Sequence, residues 1–141
     1  MLLREVATTD QSRTTILIRL VVGLVFLSEG IQKFLFEELR GAGRFEKIGL
    51  PSPELLGPMV GGFEITCGIM ILLGIYTRLA VIPIIVIMIV AFATTKSEIL
   101  AQDGFWEMLH RSRTDFAMLL CGLFLLVKGS GGMSYDRKLM R

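Results

Sequence analysis

The chain has 141 residues, 52% hydrophobic and 20% charged, with a mean hydropathy of +0.64, a balance that argues against an ordinary soluble domain, whose surface must be polar. Four spans of about 20 residues would use roughly 80 positions and leave no room for a separate soluble catalytic domain. A net charge of +2, from 15 basic residues spread along the chain rather than massed in a patch, gives no support to nucleic-acid binding.

The first apolar run, Thr15 to Phe36, is long enough to cross a bilayer although Arg19, Glu29 and Lys33 interrupt it. A signal peptide is the rival reading. Glu5 and Asp10 ahead of the run, and no small-residue cleavage pattern after it, argue against that rival. The connection from Glu37 to Leu56 carries Phe45, Ile48 and Leu50 among charges, then Gly49, Pro51 and Pro53 as breakers, which predicts a short interfacial helix stopping near Gly49.

The second run, Gly57 to Thr77, holds one charge, Glu64, and the third extends from Leu79 to about Lys96. Arg78 alone separates them, so a tight helical hairpin is expected. Pro58 and Pro83 read as first-turn prolines, where a missing N–H disturbs little. Ser97 to Met108 reads as a second surface-lying segment, with Trp106 at headgroup level. Phe116 to Val127 is too short alone, so the fourth helix is placed at about Leu109 to Lys128. The expected fold is an all-α integral membrane four-helix bundle with short interfacial helices in the two longer loops, one domain over residues 1–141.

Four spans put both termini and the Arg78 turn on one side, with Arg4, Arg13, Arg19, Lys128, Arg137, Lys138 and Arg141. The other side holds Lys33, Arg40, Arg44, Lys47, Lys96, Arg111 and Arg113. The slight excess favours cytoplasmic termini in a multi-pass plasma-membrane protein. Cys67 and Cys121 fall inside apolar runs without metal-ligand spacing, so no metal site is expected.

Ionisable residues inside spans cost roughly 2.5–3.5 kcal/mol on insertion scales, so each needs a partner. Glu29, Glu64 and Asp115 come out at a similar depth, roughly 10 Å below the outer surface at about 1.5 Å per residue. Gly57, Gly61, Glu64, Gly68, Ile71 and Ile75 share one helical stripe, which turns Glu64 towards other helices, and Gly57 and Gly61 have the spacing of close helix packing. Glu29, Gln32 and Lys33 share a face, with Glu29 four before Lys33; Arg111 and Asp115 are likewise four apart. One reading makes these i,i+4 ion pairs purely structural. In the other, Glu64, with no basic neighbour on its own helix, is a proton-handling carboxyl with Glu29 beside it. Arg19 reads as snorkelling to phosphates with no further role. His110 and Lys96 lie at the outer mouth, where they can pass protons or simply face the interface.

Four segments, RLVVGLVFLSEGIQKF, RFEKIGLPSP, GGFEITCGIMILLGIYTRLA and GSGGMSYD, run in order from about Leu20 to Asp136. Together they resemble the DoxX family of small four-helix bacterial and archaeal membrane proteins. The matching positions are Gly30 and Lys33; Phe45 and Gly49 more loosely; Pro51, Glu64, Gly68, Gly74 and Arg78; and Ser134 with Asp136. The resemblance implies redox work at the membrane, beside quinone-linked sulfur oxidation or with superoxide- and thiol-handling enzymes.

The first functional expectation is a membrane subunit that holds a quinone or similar apolar molecule near Glu64 and Glu29. Gln32, Lys33, Lys96, Trp106, His110, Arg111 and Asp115 are the expected ligand-binding set. No intrinsic haem, flavin or iron-sulfur motif is present, so a soluble or membrane redox enzyme would supply the second redox centre. The alternative is a non-catalytic scaffold or chaperone-like partner that binds through Phe45, Phe105 and Trp106. Its partners are the bilayer and another protein, a second copy of the chain included. A transporter ranks last, because broken helices and internal repeats are missing.

Overall fold

The computed structural model describes residues 6–140. Arg4, Glu5 and Arg141, used above for orientation and processing, lie outside the described residues. The chain forms α1 (Thr15–Leu35), the short α2 (Glu37–Arg40) and α3 (Ala42–Lys47), α4 (Pro53–Leu73), α5 (Thr77–Ala91), a π-helical turn (Phe92–Lys96), α6 (Ser97–Asp103), α7 (Phe105–Lys128) and α8 (Tyr135–Leu139).

Three helical stretches are long and apolar enough to cross a bilayer: Thr15–Leu35, Pro53–Leu73 and the continuous Thr77–Asp103. Helix α7 has 24 residues, but Glu107, Arg111, Arg113 and Asp115 crowd its first half. Large apolar side chains point outward all round, among them Leu24, Phe63, Val86, Ile89 and Phe124. Such a surface suits hydrocarbon rather than water.

Local chemistry sets the helix ends. Pro53, which reads in sequence as a breaker, instead occupies the first turn of α4, where its missing N–H costs nothing. The helix therefore begins four residues before the predicted Gly57, and Pro58 lies inside it. Pro83 likewise lies inside α5, because that helix begins at Thr77. Helix α4 stops at Gly74, whose φ of 69° closes the turn, with the Gly74 N–H on Ile71 O and the Ile75 N–H on Met70 O. Arg78 stands in the first turn of α5 and not between the helices. Gly49 and Gly104, both at positive φ, follow α3 and precede α7. The interfacial helix thus ends where expected, and α7 begins four residues before Leu109.

Helices α1 and α4 approach through glycines. A Cβ on Gly30 would lie 2.7 Å from the Gly61 carbonyl oxygen, and one on Gly68 would lie 3.0 Å from that of Gly23. Of the predicted stripe, Gly57, Gly61, Glu64, Gly68 and Ile71 are buried, while Ile75 lies beyond the end of α4 and is half-buried. At the other end of that stripe, Gly57 lies against Ala42 of α3, which holds the short helices over the end of α4. Val22, Phe26, Ile71, Val81, Ile84, Met118 and Leu125 form the apolar core between the four longest helices.

The hairpin end is held by polar groups, and here the structure corrects the reading of Arg19. The side chain does not snorkel; the residue is 2% exposed. Its guanidinium donates to the carbonyls of Ile71 (2.8 Å), Leu72 (2.5 Å), Ser130 (3.1 Å) and Met133 (2.6 Å). These carbonyls lie at the C-terminus of α4 and in the glycine-rich segment after α7, where a forked five-donor group can reach them together. Asp136 completes the lock by accepting from the N–H groups of Tyr76 and Thr77 at the start of α5. A carboxylate distant in sequence thereby caps a helix that has no side-chain cap of its own.

Candidate functional site

At the opposite end from the Arg19 lock, the helices part around a cavity of about 600 Å³. Its walls come from α1, the α2–α3 segment, α4, α5, the π-helical turn and α7. Most are apolar, including Val25, Phe26, Phe45, Met59, Val86 and Met118. Ionisable groups interrupt them at Glu29, Lys33, Glu64 and Asp115, with Arg40 and Arg44 on the short helices. Three acids placed at similar depth by sequence spacing thus line one space.

Their pairing differs from expectation. Lys33 does not pair with Glu29; its Nζ lies 2.7 Å from Glu64 Oε2, with the two side chains 11% and 3% exposed. The glycine contacts bring α1 and α4 close enough for a partner across the interface to win over one on the same helix. Glu64 is thereby buried against its countercharge across the helix interface. Among the described residues Glu29 has no hydrogen-bond or ion-pair partner, although it lines the cavity half-buried.

The second expected pair is also exchanged. Asp115 is held by Lys96, at 2.6 Å, and Lys96 also donates to the Arg111 carbonyl. Arg111 instead reaches Glu107 at 2.7 Å and Asp103 at 3.4 Å on the exposed face. The π-helical turn accounts for this, since its wider winding ends at Lys96 and turns that side chain onto α7. It also brings Thr94 and Thr95 to the cavity wall.

Five expected ligand-binding residues stand away from the cavity lining, Lys96 among them through its hold on Asp115. Gln32 donates to Ser28 on its own helix. Trp106 is 79% exposed, edge-on to Phe105 with ring centroids 5.3 Å apart. His110 is exposed and meets the Arg113 guanidinium at 3.0 Å. Arg111 is engaged as described. Conversely, Arg40 and Arg44 entered the sequence reading only as charges counted for orientation. Their spacing of four on the segment that carries Phe45 and Ile48 was the available signal.

The sequence model of the DoxX family matches residues 14–97, from the start of α1 to the end of the π-helical turn. This chain belongs to the DoxX family. The match takes in Glu29, Lys33, Glu64 and Lys96, and stops before Asp115. Among relatives, the "Uncharacterized membrane protein Rv3486" of Mycobacterium tuberculosis is 46% identical over 134 residues, covering 91% of this chain and 82% of that protein. The "Putative oxidoreductase CatD" of Bacillus subtilis is 25% identical over 123 residues, covering 86% of this chain and 84% of that protein. No solved structure matches this DoxX chain.

Proposed function

We propose that this DoxX protein binds a quinone or similar apolar ligand in the cavity beside Glu64, as a subunit or accessory protein of a redox or oxidative-stress system. In this reading α7 is the fourth span, the protein is multi-pass in the plasma membrane, and both termini are cytoplasmic. The observation that carries the proposal is the buried Lys33–Glu64 ion pair in the wall of an apolar cavity of ligand size. A carboxylate has more acceptor capacity than one lysine uses, and a ligand hydroxyl would take up the rest. A quinone and its quinol would supply two-electron, two-proton chemistry there. Lys33 positions the Glu64 carboxylate, and Glu29 lines the same cavity, half-buried. The name of the Bacillus subtilis relative supports a redox assignment; a partner enzyme would supply the second redox centre.

A second reading, a scaffold whose buried charges only lock the bundle, draws on the exposed Phe105–Trp106 pair as a protein-binding surface. Glu64→Gln separates the two. The amide keeps the volume but loses the charge that Lys33 faces and offers an N–H where an acceptor is needed. Binding of a decyl-tailed benzoquinol, measured by titration of detergent-purified protein, is expected to weaken at least about 100-fold while helical content and monodispersity persist. Undiminished binding in a well-folded variant would remove Glu64 from the site. Absence of any saturable binding to the wild type would leave the scaffold reading.

A further inference from the structure

Several residues that line the cavity also face outward. On α4 these are Met59 and Phe63, 45% and 48% exposed; on α5 they are Ile82, Val86 and Val90, 47%, 53% and 42% exposed. A side chain can border an interior space and the molecular surface at once only where that space opens. The two sets face each other across the hairpin. Counted from the turn at Gly74–Tyr76, Phe63 lies back along α4 by nearly the same rise as Val86 lies forward along α5. The opening is therefore well inside the apolar length of both helices and not at their ends. No charged side chain lines this stretch of either helix except Glu64, which is buried behind it.

We infer that the cavity opens sideways into the hydrocarbon of the bilayer between α4 and α5, and that a lipid-soluble ligand with a hydroxyl head and an apolar tail passes through this opening to reach Glu64. The inference rests on the ligand-binding reading above and adds the route. The glycine-mediated contact of α1 with α4 closes the flank on the other side of α4. The outer end is roofed by the α2–α3 segment, where Arg40 and Arg44 surround Phe45 and Ile48. A tail that stays in hydrocarbon avoids crossing that charged roof, while the head exchanges water for the Glu64 acceptor. Tail length then contributes to binding through its own burial, and a tailless ring has only the outer route.

Val86→Trp narrows the opening with a side chain that replaces another exposed apolar one, and Ile82→Trp does the same one turn nearer the hairpin. With protein in lipid nanodiscs, the association rate of decyl-tailed benzoquinol is expected to fall at least about tenfold in either variant. The rate for tailless benzoquinol added from water is expected to stay within about twofold. Phe45→Trp, at the outer roof, should show the reverse pattern. Unchanged association of the tailed probe in both opening variants, or equal loss of both probes, would overturn the sideways route. A wild type that binds neither probe would instead overturn the ligand-binding reading itself, so the two failures are distinct.

Discussion

Replacing Arg19 by methionine is expected to destabilise the protein by about 3–5 kcal/mol. Hydrogen bonds from a charged donor contribute about 1.5–3 kcal/mol each, and part of that sum is returned when the buried charge is removed. The remainder is large because the carbonyls of Leu72, Ser130 and Met133 lose the donor described above, and that of Ile71 keeps only the Gly74 N–H. Lysine cannot replace the fork, so Arg19→Lys should recover less than half of the loss. Helical circular dichroism during thermal unfolding in detergent gives the measurement. A loss below about 1 kcal/mol would mean that the segment after α7 is held by Asp136 and packing alone.

The second large effect concerns Lys33 and Glu64. Lys33→Met alone leaves a carboxylate 3% exposed beside an apolar cavity, with Glu29 on the adjacent helix as the nearest other acid of the lining. Breaking a buried pair from one side costs about 3–5 kcal/mol, whereas replacing both partners by apolar groups is often close to neutral. The double variant Lys33→Met/Glu64→Met is therefore expected to regain most of the stability lost by either single change. Unfolding of the four proteins completes the cycle. Additive losses would show that the pair is not coupled, and that the 2.7 Å contact is not what joins α1 to α4 at this depth.

Much of the bundle is legible in the sequence because its signals are local. Apolar run length locates α1, α4 and α5, Gly49 stops the interfacial segment, and the glycine stripe of α4 turns Glu64 inward. Errors of a few residues arise where one residue type has two uses. Pro53 opens a helix as readily as it breaks one, and that choice shifts the start of α4 and the place of Pro58.

The partners of the charges are not legible in the same way. Spacing on one helix suggests Glu29–Lys33 and Arg111–Asp115, but the close crossing of α1 with α4 and the π-helical turn before α6 decide otherwise. Both bring in a partner from another helix, which spacing along one helix does not show. Arg19 is the clearest case, since its acceptors lie on α4 and in the segment after α7, at sequence separations from 52 to 114. Only the resemblance of GSGGMSYD to the family pattern signals that the segment matters. Glu29, Glu64 and Asp115 nevertheless line one cavity.

In the proposed reading the cavity beside Lys33 and Glu64 holds a lipid-soluble redox ligand. Purifying the protein from its membrane in mild detergent, extracting it with organic solvent and analysing the extract by mass spectrometry tests this most directly. The expected result is a quinone or quinol at close to one equivalent per chain, strongly reduced in Glu64→Gln purified in parallel. An extract with phospholipid but no quinone, from wild-type protein that also fails to take up added quinone saturably, would contradict the claim.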